Sequence, residues 1–264
     1  MSLTRDNAYS SPALRIDLVR CRPHDQTCGP IEYTSRYTLA FPLRGVFVMH
    51  RGRHDHAVAD ACHALFFDPA QPYRVSHPVA GGDDCLSLEP SAALLQELRL
   101  PARPAPLDAR GIAAPRLLWH RMRRGLAGPL EVEETALGLF RLLAAPAGAE
   151  SFAANARHKE MIEATKLTLA AQPAEAWTLD ALAKRVHSSP FHLARVFRRL
   201  AGMPLHRYQM RARLAAALQE VLDSPRDLSS IGVALGFSSH SHFTDTFRRS
   251  FGVTPSALRK RARI

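Results

Sequence analysis

Thiols and imidazoles gather in the first ninety residues. The stretch CRPHDQTC carries Cys21, His24 and Cys28, and SHPVAGGDDC carries His77 and Cys85 on either side of a Gly-Gly-Asp-Asp turn at 81–84. Thiolate and imidazole are donors for zinc and similar borderline-soft ions, so Cys21, Cys28, His77 and Cys85 would fill a tetrahedral site if they converged. Convergence requires the N-terminal strand to lie beside a hairpin formed by residues 73–88. The spacings match no standard zinc finger. Buried cysteines are usually inert small hydrophobes, and four separate side chains are the simpler reading. Cys62, in CHALFF, reads as core.

A second chemistry lies toward the C-terminus. SSPFHLARVFRRLAGMP (188–204) superimposes on SSHSHFTDTFRRSFGVTP (238–255) at an offset of 50 residues. Ser189/Ser239, His192/His242, Phe197/Phe247, Arg198/Arg248, Arg199/Arg249 and Gly202/Gly252 are identical pairs. Upstream, LDALAKRV matches LSSIGVAL at an offset of 49, so the second turn has one extra residue. A short helix, a tight turn and a longer helix, occurring twice, is helix-turn-helix spacing.

In such a unit the second helix enters the major groove and its first turns meet base edges. Phe191, His192, Ala194 and Arg195 hold those positions in the first copy, and His240, Ser241, Thr244 and Asp245 in the second. Leu193, Val196, Phe197, Phe243, Thr246 and Phe247 face back onto the domain. Arg198, Arg199, Arg248 and Arg249 lie later on each helix, where they would approach phosphates. Ser189 and Ser239 begin the helices, where a serine caps the helix or meets the DNA backbone.

The charge supports a polyanion partner. Residues 155–264 hold 18 Lys+Arg against 8 Asp+Glu, while the first 154 hold 17 against 16. Concentrated positive charge favours nucleic acid over a membrane surface. No apolar run is long enough for a membrane-spanning helix, so no membrane span is expected. The N-terminus lacks a basic-then-apolar signal pattern, and four cysteines do not make a disulfide scaffold. Both point to the cytoplasm. No nucleophile–base–orienter set and no phosphate-cradling glycine loop is visible, so an enzyme is not expected.

These residues need two kinds of scaffold. Residues 14–90 alternate short apolar runs (LRIDLV, YTLAFPL, GVFVMH, HALFFDP, YRVSHP, CLSLEP) with turn signals, as in a small antiparallel barrel or sandwich. Helical spacing follows over 91–100, 115–128 and 130–145, with PARPAPLDARG (101–111) between as a loop. Leu117, Leu118, Met122 and Leu137 there would either cover the barrel or support a homodimer. After a small, polar linker the spacing predicts helices over 157–171, 178–186, 190–200, 204–223, 228–235 and 240–251.

Residues 158–262 resemble the AraC/XylS family of transcription regulators. The resemblance is carried by IGVALGFSSHSHFTDTFRRSFGVTPSALRKR, which is similar to the family's I-x-x-x-A-x-x-x-GF followed by SxxxFxxxFKxxFGxTPxxYR. Gly232, before the expected small residue, and Leu258, in place of an aromatic before Arg259, depart from it. The resemblance implies a double-stranded DNA operator, with both recognition helices docked in adjacent major-groove segments. It also implies readout by Phe191, Ala194, Arg195, His240, Ser241, Thr244 and Asp245. Asp245 stands where a basic residue is common; a carboxylate can only accept, for instance from a cytosine amino group.

Family members often carry an N-terminal cupin-like barrel that binds a small-molecule effector or dimerises. The expected fold is therefore α+β: a cupin-like small β-barrel (about 14–90) with following helices (about 91–145) in a domain spanning 1–148, a linker at 149–157, and an all-α double helix-turn-helix domain at 158–264. His54 and His56 supply the His-x-His of a metal cupin, but no Glu follows at the right distance. Two further readings remain: a metal- or thiol-responsive sensor using the N-terminal Cys and His residues, with zinc the candidate ion, and a cupin-type enzyme fused to a DNA-binding domain.

Overall fold

The structure, a computed structural model, describes residues 2–53, 55–98, 100, 104–144 and 155–263. The chain separates into two compact units, 1–150 and 151–264. His54 and most of the expected linker lie outside the described residues. Ala156 and Arg157, also expected there, instead open a helix capped by the Asn155 side chain, which accepts from the His158 amide at 2.8 Å.

The first unit contains β1 (Ser2–Ser10), β2 (Leu14–Arg22), β3 (Thr38–Arg44), β4 (Phe47–His50), β5 (His56–Ala59), β6 (His63–Phe67), β7 (Arg74–Ser76) and β8 (Asp83–Pro90). Helix α1 (Ala92–Glu97), strand β9 (Ala105–Pro106) and helices α2 (Ala109–Met122) and α3 (Pro129–Leu143) follow. Among the described residues the strands form two sheets, ordered β1-β2-β8-β3-β6-β9 and β5-β4-β7, rather than one closed barrel. Apolar residues of both sheets, including Ala40, Phe47, Met49, Leu65 and Cys85, share one core cluster.

Three expectations are corrected here. The GGDD turn is not a hairpin, because β7 pairs with β4 in one sheet while β8 pairs with β2 and β3 in the other. The turn carries the chain between sheets. Gly81 and Gly82 both have positive φ, and a Cβ on Gly82 would lie 1.9 Å from the Cys21 carbonyl oxygen. Second, the sheet begins before residue 14: β1 runs antiparallel to β2 from Ser2↔Arg22 to Ser10↔Arg15. Third, α2 starts at Ala109, inside the expected loop. Asp108 caps it, and Pro115 sits within it.

The buried guanidinium of Arg116 ties α2 to the sheet. Arg116 is 1% exposed and donates to the carbonyls of Ile112, Pro42 and Leu43 at 2.8, 2.8 and 3.2 Å. Burial lowers its pKa to about 10.

The second unit contains α4 (Ala156–Ala171), α5 (Leu179–Arg185), α6 (Pro190–Ala201), α7 (Leu205–Asp223), α8 (Leu228–Ala234), α9 (His240–Phe251) and α10 (Pro255–Arg263). The first six match their expected spans within a residue or two at each end. Helix α10 was not anticipated. The long α7 packs against α4, α6, α8 and α10. Its Leu214, Leu218 and Val221 are buried, and Tyr208 meets Phe197 edge to face at 5.4 Å. Across the second copy Phe237, Phe243, Phe247 and Phe251 form a chain of ring contacts at 5.1, 5.7 and 4.7 Å.

Candidate nucleic-acid interface

The two copies are built alike. Helices α5 and α8 are capped by the side chains of Thr178 and Asp227, which accept from amides in the first turn. Helices α6 and α9 are capped by Ser189 and Ser239, which accept from the amides of His192 and His242 at 3.2 and 3.0 Å. Both longer helices end on a left-handed glycine, Gly202 (φ 70°) and Gly252 (φ 75°). Such a glycine closes a helix without a Cβ penalty.

The burial of residues 191–200 repeats position by position in residues 241–250. Leu193, Val196 and Phe197 are buried in α6, as are Phe243, Thr246 and Phe247 in α9. Arg195, Arg198 and Arg199 are exposed, and so are Asp245, Arg248 and Arg249. Phe191 is 77% exposed, the largest exposure among the large apolar side chains described. A phenyl ring held in water has no role in the core. His240 and Ser241 are exposed, while Ala194 and Thr244 are half-buried beside the same outward face.

Several of these side chains have protein partners. His240 Nε2 and Thr244 Oγ1 are 3.5 Å apart, one helical turn along α9. Arg249 Nη2 donates to Thr246 Oγ1 at 3.3 Å, folding back along its own helix. His192 is half-buried, with its ring 5.3 Å from that of His158 on α4. Its counterpart His242 packs on Phe237 at 5.6 Å and meets Ser238 Oγ at 2.9 Å. His192 thus touches α4 while staying partly exposed. The Ser189 and Ser239 hydroxyls accept from helix amides and keep their O–H groups as donors.

Two arginines that the sequence did not single out hold the assembly. Arg213 on α7 donates to the carbonyls of Pro173, Ala174, Glu175 and Gly236 at 2.7, 3.3, 2.9 and 3.0 Å. It thereby ties the α4–α5 connection to the turn of the second copy. Arg259 on α10 donates to Val221 and Arg226 carbonyls at 3.1 and 2.6 Å, closing the C-terminus of α7. In the sequence they are two arginines in basic stretches, where nothing separates an anchor from a DNA contact.

In the first unit the four expected metal ligands do not form one set. Among the described residues, the group whose donor atoms all lie within 4.8 Å of one another is Cys21, His77 and Asp83. Cys28 is exposed, in the segment whose isolated bridge pairs it with Ser76. Cys85 is buried and donates its S–H to Asp83 Oδ2 at 3.2 Å. Burial raises the pKa of the Cys85 thiol well above its ordinary value, with Asp83 adding to the effect. His56 pairs with His50 across β4 and β5, their rings 6.1 Å apart.

Two helix-turn-helix units sharing the long helix α7 place the second unit of the chain in the double helix-turn-helix class. Several known proteins are similar to this unit. A family described as "Helix-turn-helix domain" matches residues 182–261. The chain is 35% identical over 83 residues to the regulatory protein SoxS of Salmonella typhimurium, covering 31% of this chain and 78% of SoxS. It is 32% identical over 106 residues to the HTH-type transcriptional regulator ArgR of Pseudomonas aeruginosa, covering 40% of this chain and 32% of ArgR. A solved transcriptional regulator with an AraC-type DNA-binding domain, from Chromobacterium violaceum, is similar at 30% identity and a TM-score of 0.38, covering 41% of this chain and 96% of that one. The chain belongs to the AraC/XylS family. It spans under half the length of several relatives that it matches, 32% in the case of ArgR and 25% in that of GlxA of Rhizobium meliloti. Among the described residues no helix is long and apolar enough to cross a membrane.

Proposed function

We propose that the chain is a sequence-specific DNA-binding transcription regulator acting in the cytoplasm, with no catalytic role. Its domains run 1–148 for sensing or dimerisation, 149–155 as linker and 156–264 for DNA. The observation that carries this is the repeated burial pattern of α6 and α9, which presents the same face twice from one rigid frame. Base readout falls to Phe191, His192, Ala194, Arg195, His240, Ser241, Thr244 and Asp245, with His192 half-exposed beside His158 of α4. Backbone contacts come from Ser189, Arg198, Arg199, Ser239, Arg248 and Arg249; each serine hydroxyl accepts from a helix amide and keeps its O–H to donate to a phosphate. Asp245 brings an acceptor to the groove, which suits a cytosine amino group and repels misplaced phosphates.

The experiment is selection of duplex DNA by the full chain, followed by substitution of each base pair in the enriched site. Two clusters of sensitive positions, about one helical turn apart, support the reading. A single cluster shows that only one helix reads sequence.

In the first unit, the two sheets support a cupin-like sandwich around a cavity of about 100 Å³ lined by Val19, Cys21, Tyr73, Val75 and His77 among others. A small-molecule effector entering from the open side would bias the attached DNA-binding half. Self-association as a homodimer would use the α2–α3 pair. Leu118 is core, but Leu117, Met122 and Leu137 are half-buried and Leu130 is 69% exposed, which leaves an apolar strip on the surface.

A further inference from the structure

We propose that Cys21, His77 and Asp83 form a binding site for one zinc-type divalent ion in the wall of the N-terminal cavity. The three come from separate segments: Cys21 from the end of β2, His77 from the connection after β7, and Asp83 from the start of β8. Their exposures are 5%, 2% and 5%. The donor atoms lie within 4.8 Å of one another, and His77 Nε2 is 2.7 Å from Asp83 Oδ1. Bond lengths of about 2.0–2.3 Å to one tetrahedral ion put its ligand atoms roughly 3.3–3.8 Å apart, a shift of about an ångström or less.

The backbone that carries the ligands is fixed independently of any ion. Cys21 and Asp83 are cross-strand partners in the β2–β8 ladder. Arg22 Nη1 donates to the carbonyl oxygens of both, each at 2.9 Å. Gly45, Gly82 and Cys21 are stacked so closely that a Cβ on Gly45 would lie 2.0 Å from the Gly82 oxygen. The second carboxylate oxygen of Asp83 accepts from Cys85, which orients it in the way outer-shell partners orient metal ligands.

The donor set selects the ion. One thiolate and one imidazole disfavour magnesium and calcium, which take oxygen ligands, while a mixed S, N, O set suits zinc. Three protein ligands leave a fourth position, and all three residues line the cavity, so water or a cavity ligand can complete the shell. On binding, the Cys21 S–H bond breaks and its proton passes to solvent, the proton between His77 Nε2 and Asp83 Oδ1 exchanges through solvent to Nδ1, and bonds form from sulfur, Nε2 and the carboxylate oxygen to the metal; no electron moves. The link from this site to transcription rests on the sensing role proposed above, but the site itself does not.

The test uses the full chain, stripped with chelator and titrated with cobalt(II). A thiolate-to-cobalt charge-transfer band should rise to saturation at one equivalent and disappear when zinc is added. Cys21→Ser should abolish it, while Cys28→Ser and Cys62→Ser leave it intact. Should Cys21→Ser fail to fold by circular dichroism, Asp83→Asn keeps the thiol and should weaken cobalt binding about tenfold or more. No charge-transfer band in the folded wild type, or an undiminished band in folded Cys21→Ser, overturns the proposal. Binding to duplex DNA is measured on the same samples. Its loss in wild type with the cobalt site intact would count against the regulator reading and not against the metal site.

Discussion

His187 and Gly236 occupy the same place in the two turns, 49 residues apart, and both are left-handed, with φ of 50° and 77°. His187 is the single non-glycine residue with positive φ among those described. The turn geometry, and not a residue type, is what the repeat preserves.

The two positions should respond unequally to substitution. Gly236→Ala places a Cβ 2.4 Å from the Ala174 carbonyl oxygen, in addition to the left-handed strain. It should destabilise the second unit by about 1–3 kcal/mol. His187→Gly relieves strain but frees the unfolded chain, and should change stability by less than about 1 kcal/mol. Urea unfolding followed by circular dichroism measures both; a larger loss at His187 would reverse the reading of the turns.

Arg213 should behave as a structural anchor. It serves four carbonyl groups, and burial lowers its pKa. Arg213→Ala should cost about 2–4 kcal/mol, and Arg213→Lys should rescue little, because an ammonium cannot span the same fork of acceptors. Full recovery by lysine in thermal unfolding would show that charge alone is needed there.

Arg195 and Arg199 should separate by mechanism. Arg195→Ala should lose about 1–3 kcal/mol on the selected site and relax preference at one base pair. Arg199→Ala should weaken all duplexes alike and reduce the salt slope by about 1. Fluorescence anisotropy on matched and mismatched duplexes distinguishes them. Equal behaviour of the two variants would place both on the same kind of contact.

Alkaline pH should weaken the first unit. Burial, with a smaller contribution from Asp68, pushes the Tyr37 phenol up to about 12 from an ordinary 10. The neutral phenol is favoured in the folded state, so this stability is complete below pH 10 and is lost as pH rises toward 12. Tyr37→Phe should flatten part of the fall in unfolding temperature over that window. An unchanged profile would remove Tyr37 from the cause.

The C-terminal helices were legible because their ends carry their own chemistry. Ser189, Ser239, Gly202 and Gly252 mark starts and stops through local bonds that the sequence alone specifies. Helix α10 was not legible, since PSALRKRAR has only Leu258 as an apolar anchor besides proline and alanine, and a dense run of cations. It is held by long-range contacts, the burial of Leu258 (8% exposed) and the bonds of Arg259. In the first unit, β1 is polar and mostly exposed, so its strand character comes from backbone pairing with β2 and leaves no alternating pattern. The Cys21–Asp83 pairing depends on β2–β8 register, and local spacing does not encode register between strands sixty residues apart. Asp83 was therefore read only as part of a turn.

The central claim is that DNA binding resides in the second unit. Residues 151–264 and residues 1–150 should each be titrated against the selected duplex at several salt concentrations. The account predicts tight binding by 151–264, with log K falling steeply and linearly in log salt as several phosphates are neutralised. It predicts no binding by 1–150. Retention by 1–150 together with loss by folded 151–264 would contradict it.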